Sequence, residues 1–329
     1  MKKSILVPGL SLALFVSSGS DLLAQASKEI SVSTLYGSGE YTYELVEEWA
    51  KLPQGWTFRD GAGIAIDSSD HVYILSRGTH PVTKWDRDGN LLGNWGGNYF
   101  RRAHGATIGP DSNIWCADDG DHTVTKFTPE GQVLMTLGTP GKSSPFQSGL
   151  PFNRPTGVSV SPAGEVYVSD GYGNARVHKF ASDGTLLFSW GEPGASPGQF
   201  RLVHHVWLDT KERVWVCDRE NNRIQLFDTK GKFLTQWTDV SRPTAIFIDK
   251  EGVVYVAELN ARISIFDNNG KLLARWGDTV GGDPWKQVLV APHAIAVDSR
   301  GDLYVAQAMM TIGGIEKGTK VVQKYVKRK

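Results

Sequence analysis

The sequence predicts an all-β protein folded as one six-bladed β-propeller. One pattern recurs six times: an apolar strand, an Asp-x-x-Gly turn, a Val-Tyr-Val strand, a polar turn, a strand ending in Phe or Trp, and a strand of the form Leu-Leu-x-x-Trp-Gly. Four-stranded repeats of this kind form the blades of propellers. The first strands begin 42, 52, 48, 40 and 49 residues apart, at Gly63, Gly105, Gly157, His205, Ala245 and Ala294.

The two ends of the chain predict how the ring closes. The sixth repeat stops one strand short, after residues 321–326, and the missing type of strand occurs in residues 41–53. Pairing this N-terminal strand with the last blade would complete it and remove two exposed sheet edges. We therefore predict a single propeller domain over residues 40–327, preceded by a lead-in over residues 27–39.

Residues 1–26 have the features of a secretory signal peptide. Lys2 and Lys3 precede a mostly apolar run, and Ala24-Gln25-Ala26 forms an A-x-A cleavage site. The apolar run is too short to span a bilayer, so we expect no membrane insertion. After cleavage near Ala26 the protein is predicted to be exported, either to the periplasm or out of the cell.

The composition argues against a dedicated nucleic-acid binder. Lys and Arg total 35, Asp and Glu total 35, and the formal charge is zero, whereas such proteins carry a basic stripe that neutralises phosphates. We expect no nucleic-acid partner and a monomeric protein. Cys116 and Cys217 fall in second strands of blades that are two apart, so they are predicted to be buried thiols rather than a disulfide.

Histidine occupies one equivalent position in alternate blades. The residues just before the six first strands are, in blade order, Ala62, His104, Thr156, His204, Thr244 and His293. Alternate blades lie about 120° apart and innermost strands line the channel, so the three imidazoles are predicted to converge on one metal ion. Three histidines with an open fourth position are typical of catalytic zinc, although other divalent transition metals also bind imidazole. The structural alternative is that each histidine packs singly inside its blade.

Further polar residues are predicted on the same rim, because the second strands end where the first strands begin. Equivalent positions hold Arg77 in blade one and Arg219 in blade four, opposite each other, with Tyr172 in blade three. Guanidinium groups bind a carboxylate through paired hydrogen bonds, so both arginines are candidates for binding an anionic substrate. Tyr172 is the candidate proton acceptor. The alternative for Arg219 is a surface ion pair with Asp218 or Asp170.

Long loops between blades open on this rim. We expect their aromatic side chains to wall a pocket for an acyl or peptidyl group: Tyr99, Phe100, Phe146, Phe152, Phe200 and Trp285. Residues 308–320 are predicted to form a flap. The remaining histidines do not share the metal position and are predicted to be structural: His71, His80, His122, His178 and His205.

The motifs resemble those of NHL-repeat propellers, and at the rim they are similar to the peptidyl-α-hydroxyglycine α-amidating lyases. The resemblance covers all six blades and is most specific in VSDGYGNAR (168–176) and CDRENNRIQLF (217–227). It implies cleavage of the N–C bond of a peptidyl- or acyl-α-hydroxyglycine to an amide and glyoxylate. It also implies that His104, His204 and His293 hold zinc, that Arg77 and Arg219 bind the substrate, and that Tyr172 is the base.

The sequence departs from this family at three places. Ala291 replaces a frequent methionine, and Ala294 replaces the aspartate that ligates a calcium ion in the channel. The backbone carbonyls of Ile64 and Ala106 remain, but two carbonyls alone bind calcium poorly, so we do not expect calcium. The family's disulfide positions are empty, with Asn153 and Gly173 replacing one pair.

Two other functions stay open from the sequence. The chain could be a non-catalytic NHL propeller that binds a protein or glycan, since fold alone does not decide function. It could also be a lyase for a related carbinolamide, such as a ureidoglycolate. A lactonase-type propeller fits less well, because it would need acidic and Asn ligands around calcium.

Overall fold

The computed structural model describes residues 34–277, 283, 286–316 and 318–328. The predicted signal peptide, residues 27–33 of the predicted lead-in, and Trp285 lie outside these residues. In chain order the strands are β1 Leu35–Ser38, β2 Tyr41–Val46, β3 Gly61–Ile66, β4 Val72–Ser76, β5 Val82–Trp85, β6 Leu91–Trp95, β7 Ala103–Ile108, β8 Ile114–Asp118, β9 Thr123–Phe127, β10 Val133–Gly138, β11 Pro155–Val160, β12 Val166–Asp170, β13 Arg176–Phe180, β14 Leu186–Trp190, β15 Glu192–Pro193, β16 Gln199–Phe200, β17 Val203–Leu208, β18 Val214–Asp218, β19 Arg223–Phe227, β20 Phe233–Trp237, β21 Pro243–Ile248, β22 Val254–Glu258, β23 Arg262–Phe266, β24 Leu272–Gly277, β25 Pro292–Val297, β26 Leu303–Gln307 and β27 Val322–Lys327.

Short helical turns occupy Arg219–Asn221, Met309–Gly313 and Gly318–Val321. Among the described residues, no helix has the length and apolar character needed to cross a membrane.

Six antiparallel sheets form the blades, which confirms the predicted all-β, six-bladed propeller, and β15 and β16 form a separate two-stranded parallel pair. Each blade is a meander whose first strand lies innermost, and the innermost strands pack against one another around the central axis. The blades are β3–β6, β7–β10, β11–β14, β17–β20, β21–β24 and, for blade six, β25–β27 with β2.

The N-terminal strand closes the ring. β2 pairs antiparallel with β27, with Tyr43 opposite Lys327 and Val46 opposite Lys324. β1 lies within the predicted lead-in. It pairs with β2 and so adds a fifth, outermost strand to blade six. Blade six is therefore built from both ends of the chain.

The repeated Trp and Gly residues explain how neighbouring blades pack. The tryptophan at the end of one blade covers a glycine turn of the next: Trp95 covers Gly131, Trp190 covers Gly231, and Trp237 covers Gly270. A Cβ at Gly131 would lie 2.6 Å from Trp95 ring atoms, and the backbone there has a φ of +92°. Glycine is therefore required both by the turn and by the indole on it. The hydrophobic cores accordingly lie between blades.

Cys116 and Cys217 are buried free thiols, as the sequence predicts. They lie in β8 and β18, in blades two and four. Burial raises the pKa of both thiols above the ordinary value, which keeps them protonated and unreactive.

Ring closure generates a stability prediction for Tyr43. Its side chain is fully buried and packs on Trp276 of blade five at 5.5 Å between ring centroids. Tyr43→Ala should lower the free energy of unfolding by about 3–5 kcal/mol, because it opens a large cavity in the closing blade. Urea unfolding measures the loss, and Thr42→Ala on the same strand, which removes a partly exposed side chain, should change it by less than about 1 kcal/mol. Equal, small effects would show that β2 does not stabilise the ring.

Candidate metal centre

A β-bulge near the start of each innermost strand places the candidate ligands. The register of the first and second strands shifts by one residue in all six blades, for example between Ala103 and Gly105 and between Val203 and His205. The bulged residues are Ala62, His104, Thr156, His204, Thr244 and His293. The sequence analysis placed these residues just before the strands, whereas they are the second residues of the strands. Bulges re-aim side chains, and here they direct three imidazoles to the axis.

The structure brings His104, His204 and His293 together. Their ring centroids are 4.7–4.9 Å apart, which makes a nearly equilateral triangle. One ring nitrogen from each lies within 4.8 Å of the others, and all three side chains are buried. This is a three-histidine cluster with the spacing of a candidate metal site.

Hydrogen bonds between blades fix which nitrogen faces the centre. The Nδ1 atoms of His104, His204 and His293 lie 2.5, 2.7 and 2.9 Å from the backbone carbonyls of Thr156, Thr244 and Ala62. A carbonyl only accepts, so each Nδ1 carries the proton and each Nε2 presents a lone pair to the centre. This is the arrangement that orients metal-ligating histidines.

The three imidazoles are held neutral. Burial, together with the positive charge of Arg77, lowers the pKa of His293 to about 3. Burial also lowers the pKa of His104 and His204 well below the ordinary value, with added effects from the neighbouring histidines and, for His204, from Arg219. Neutral imidazole is the form that binds a metal.

Tyr172 lies at the same centre, directly after β12. Its hydroxyl is 3.0 Å from His104 Nε2, 3.2 Å from His204 Nε2 and 3.4 Å from Arg219 Nη1. One hydroxyl hydrogen cannot satisfy two lone pairs, and His293 Nε2 is buried without a hydrogen-bond partner in the described part of the chain. The centre therefore has more lone pairs than donors, which a cation would balance.

Three guanidinium groups surround the ring of Tyr172. The Cζ atoms of Arg102, Arg154 and Arg219 lie 5.5, 5.2 and 5.6 Å from its centroid. Arg102 and Arg154 share the buried carboxylate of Asp119, which is 2.8 Å from Arg154 Nη2. Arg102 and Arg154 were not among the residues predicted from the sequence. Both stand two residues before a bulged position, so reading that offset in every blade would have found them.

The two predicted rim arginines are both ion-paired, and Arg219 has a partner other than Asp218 or Asp170. Arg219 Nε lies 2.8 Å from Glu220, while Asp218 pairs instead with Arg223. Arg77 Nη1 lies 3.3 Å from Asp60, and Arg77 Nη2 is buried without a partner among the described residues.

Comparison with known proteins identifies the family. Residues 152–180 match the family model described as NHL repeat. NHL repeat-containing protein 3 from Homo sapiens is 31% identical over 303 residues, covering 86% of this chain and 84% of that protein. The chain belongs to the NHL repeat family. This NHL-repeat protein is also 36% identical over 100 residues to peptidyl-alpha-hydroxyglycine alpha-amidating lyase 1 from Drosophila melanogaster, covering 27% of this chain and 18% of the lyase. A streptogramin B lyase structure superposes with a TM-score of 0.58 at 16% identity, over 89% of this chain and 90% of that chain, and shows the shared fold.

A basic cavity of about 510 Å³ in this NHL-repeat protein is lined by Ala103, the residue that precedes His104. Arg59, Arg77, Arg101 and Arg102 line it, together with Phe100 and Met310. Asp60 is the lining carboxylate. Burial opposes its charge, but hydrogen bonds from Thr311 and the charge of Arg77 hold the pKa of Asp60 below its ordinary value.

The predicted flap contributes Met309–Gly313, a helical turn fastened to blade one. Asp60 accepts hydrogen bonds from the backbone N–H groups of Met310 and Thr311, at 2.8 and 3.0 Å. Thr311 Oγ1 also accepts a hydrogen bond from Arg77 Nη1 at 3.1 Å. The flap thus contacts a candidate substrate-binding residue.

The prediction that loop aromatic residues line a pocket is wrong for two of them. Phe152 and Phe200 are fully buried in the cores between blades, because the loops that carry them fold back onto β13 and β19. Phe146 is 60% exposed, and Phe100 lines the basic cavity.

The channel beneath the histidines contains a cavity of about 100 Å³. Ile64 and Ala106 line it with Ala294, Trp207 and Phe247, and no carboxylate is among the lining side chains described. This region would offer calcium only backbone and hydroxyl oxygens.

The other five histidines have protein contacts. His71 bonds to Asp67, His80 stacks on Trp56, His122 accepts from the Arg154 N–H, and His178 bonds to Asp170. His205 is half-buried and accepts a hydrogen bond from the Ile246 N–H at 3.4 Å.

The environment of His205 predicts acid sensitivity. Burial lowers its pKa to about 4, whereas the unfolded chain has a value near 6.5. Between these values only the unfolded state gains the proton at this residue, so His205 alone should lower the free energy of unfolding by about 1.4 kcal/mol per pH unit as the pH drops from about 6.5 to about 4. His205→Gln keeps a hydrogen-bond acceptor but does not titrate. The variant should therefore lose about 2–3 kcal/mol less unfolding free energy than wild type between pH 7.0 and pH 4.5.

Chelator-treated protein and the His205→Gln variant should be unfolded with urea at pH 7.0 and pH 4.5. His71→Gln serves as the matched control at a partly exposed site. A pH dependence equal in wild type and His205→Gln would contradict the assigned role of His205.

Proposed function

We propose that this NHL-repeat protein is a metal-dependent carbon–nitrogen lyase. Its substrate would be a peptidyl- or acyl-α-hydroxyglycine, cleaved to an amide and glyoxylate. The observation that carries the proposal is the convergence of three neutral imidazole lone pairs on one point, where two of them, those of His104 and His204, lie within hydrogen-bond distance of the Tyr172 hydroxyl. The partial match to an α-amidating lyase supports the same reaction.

The ligands proposed for the metal are His104, His204 and His293. Zinc fits a set of three histidines with an open position, and other divalent transition metals also bind imidazole. When bound, the ion supplies positive charge that stabilises negative charge developing on a substrate oxygen. Each Nδ1–H bond to a carbonyl holds its ring in place for this role.

The arginines are proposed to bind the substrate carboxylate. Arg77 Nη2 has no partner within the described residues, and Arg219 Nη1 lies beside the Tyr172 hydroxyl. A guanidinium presents parallel N–H donors that match a carboxylate. The basic cavity offers space for the acyl or peptidyl part.

Tyr172 is proposed to accept the proton of the substrate hydroxyl through its phenol oxygen, in the ionised form. The O–H electron pair then forms the carbonyl of glyoxylate as the C–N bond breaks. The departing nitrogen takes up that proton from Tyr172 and becomes the amide nitrogen, so the products contain all atoms of the substrate. Arg219 near the phenol oxygen, and the cationic groups of Arg102 and Arg154 around the ring, offset negative charge at Tyr172.

Glyoxylate release tests the activity. Zinc-loaded protein should release glyoxylate from N-acetyl-α-hydroxyglycine, and chelation should abolish it. His204→Ala should lose both metal and activity, because two histidines alone bind zinc weakly, whereas His71→Ala should keep both. Full zinc occupancy in His204→Ala would contradict the metal centre. Release from ureidoglycolate alone would identify the related carbinolamide as substrate, and no release from zinc-loaded protein would favour a binding-only propeller.

Tyr172→Phe separates the base from the metal. This variant should keep its zinc content and lower kcat by about two to four orders of magnitude, the usual contribution of a general base. Metal analysis and steady-state kinetics provide the two measurements. Unchanged turnover would remove Tyr172 from the mechanism.

A further inference from the structure

The bulged residues form a nearly continuous hydrogen-bonded ring around the channel. The backbone carbonyl of Thr156 accepts a hydrogen bond from the Nδ1–H of His104. The hydroxyl of Thr156 donates a hydrogen bond to the carbonyl of Val203, at 2.9 Å. Val203 immediately precedes His204. Each threonine therefore joins one histidine to the peptide group that carries the next.

Thr244 repeats this link between the second and third histidines. Its carbonyl accepts from His204 Nδ1, and its hydroxyl donates to the carbonyl of Pro292 at 2.8 Å. Pro292 immediately precedes His293. The same geometry in blades three and five shows that the link belongs to the repeat.

The third link is built differently. Ala62 occupies the equivalent position in blade one, and its carbonyl accepts from His293 Nδ1 at 2.9 Å. Its methyl group has no donor for the carbonyl of Ala103, which precedes His104. Arg77 Nε donates to that carbonyl instead, at 3.0 Å.

We propose that Arg77 is a positioning residue for the metal centre, taking the place of the threonine hydroxyl that blade one lacks. The carbonyl of Ala103 belongs to the peptide that leads into His104, so its hydrogen bond fixes the direction from which that imidazole enters the channel. Arg77 is itself held by Asp60 and Thr311 through Nη1. This inference rests on the proposed metal centre, and it gives Arg77 a role separate from binding the substrate carboxylate.

A double-mutant cycle isolates this role from the charge of Arg77. Arg77→Met removes the hydrogen bond to Ala103 and also a positive charge near the metal. Its effect on zinc affinity is therefore the sum of a lost hydrogen bond and a lost repulsion. Comparing Arg77→Met with Ala62→Thr/Arg77→Met holds the charge constant and adds a hydroxyl donor together with a methyl group, at the position that Thr156 and Thr244 occupy in their own blades. The readout is the zinc dissociation constant, measured without substrate by competition with a chelating dye.

In the Arg77→Met background, Ala62→Thr should tighten zinc binding by about tenfold, the lower end of effects from residues that orient metal ligands. Thr244→Val removes the equivalent donor without a change of charge and should weaken zinc by a similar factor. In the Arg219→Met background, where Arg77 remains, Ala62→Thr should give no gain. The Ala62→Thr/Arg77→Met variant should regain zinc affinity. It should not regain the low KM, because the guanidinium that binds the substrate carboxylate is still missing.

Equal zinc affinity of Arg77→Met with and without Ala62→Thr, both variants unfolding within a few degrees of wild type, would overturn the positioning role. Failure of wild-type protein to bind zinc would instead overturn the metal centre. Zinc binding without glyoxylate release would overturn the proposed lyase activity alone. The three results are therefore distinguishable.

Discussion

The pairing of β2 with β27 is the constraint on which the rest of the structure depends. Each blade presents its innermost strand to the axis, but its apolar faces are buried only by the two neighbouring blades. The blades hold a common radius only if the ring is complete, and the last blade is itself completed by a strand from the opposite end of the chain. The three histidines come from strands 189 residues apart in sequence at the extremes, His104 to His293, so their convergence is a property of the closed ring.

Within that ring, the candidate centre combines features that would each be unfavourable alone. Three buried imidazoles present lone pairs to one another, and one phenol hydrogen is available to them. Buried acceptors without donors destabilise a fold, and such exceptions concentrate at functional sites. A cation that bound only the folded state would relieve this imbalance and stabilise the protein by mass action. The same environment lowers the pKa of the histidines, so the fold keeps them in the neutral form even in mildly acidic solution.

The sequence was sufficient to predict the blades, the closing strand and the equivalence of the three histidines, because each depends on a repeat that can be read directly. It did not show the bulge, which inserts the equivalent residue into the strand rather than before it. Arg102 and Arg154 were not predicted because the equivalent positions compared were the histidine position and the ends of the second strands, whereas both arginines lie two residues before the histidine position of their blades. The contact of Asp60 with Thr311 could not be predicted by any local pattern, since it joins residues 251 apart across the closure of the ring. The prediction was wrong for Phe152 and Phe200 because the sequence does not distinguish a loop aromatic residue that lines a pocket from one that packs into the core.

The departures from the repeat indicate which parts of the site are specialised. Histidine and threonine alternate around the ring. Each histidine presents a lone pair to the centre, and each threonine links one histidine to the peptide before the next through hydrogen bonds. Ala62 breaks the alternation on the side where Arg77 enters, and Arg77 joins the substrate side of the site to the peptide before His104. Positive charge is concentrated on the rim although the whole chain is neutral, with four arginines lining the basic cavity. At the offset that carries Asp60, Arg102 and Arg154 elsewhere, blade six has the small, buried Ala291. Under the proposed function, the arginines therefore specify the anionic, reacting end of the substrate more closely than the group attached to it.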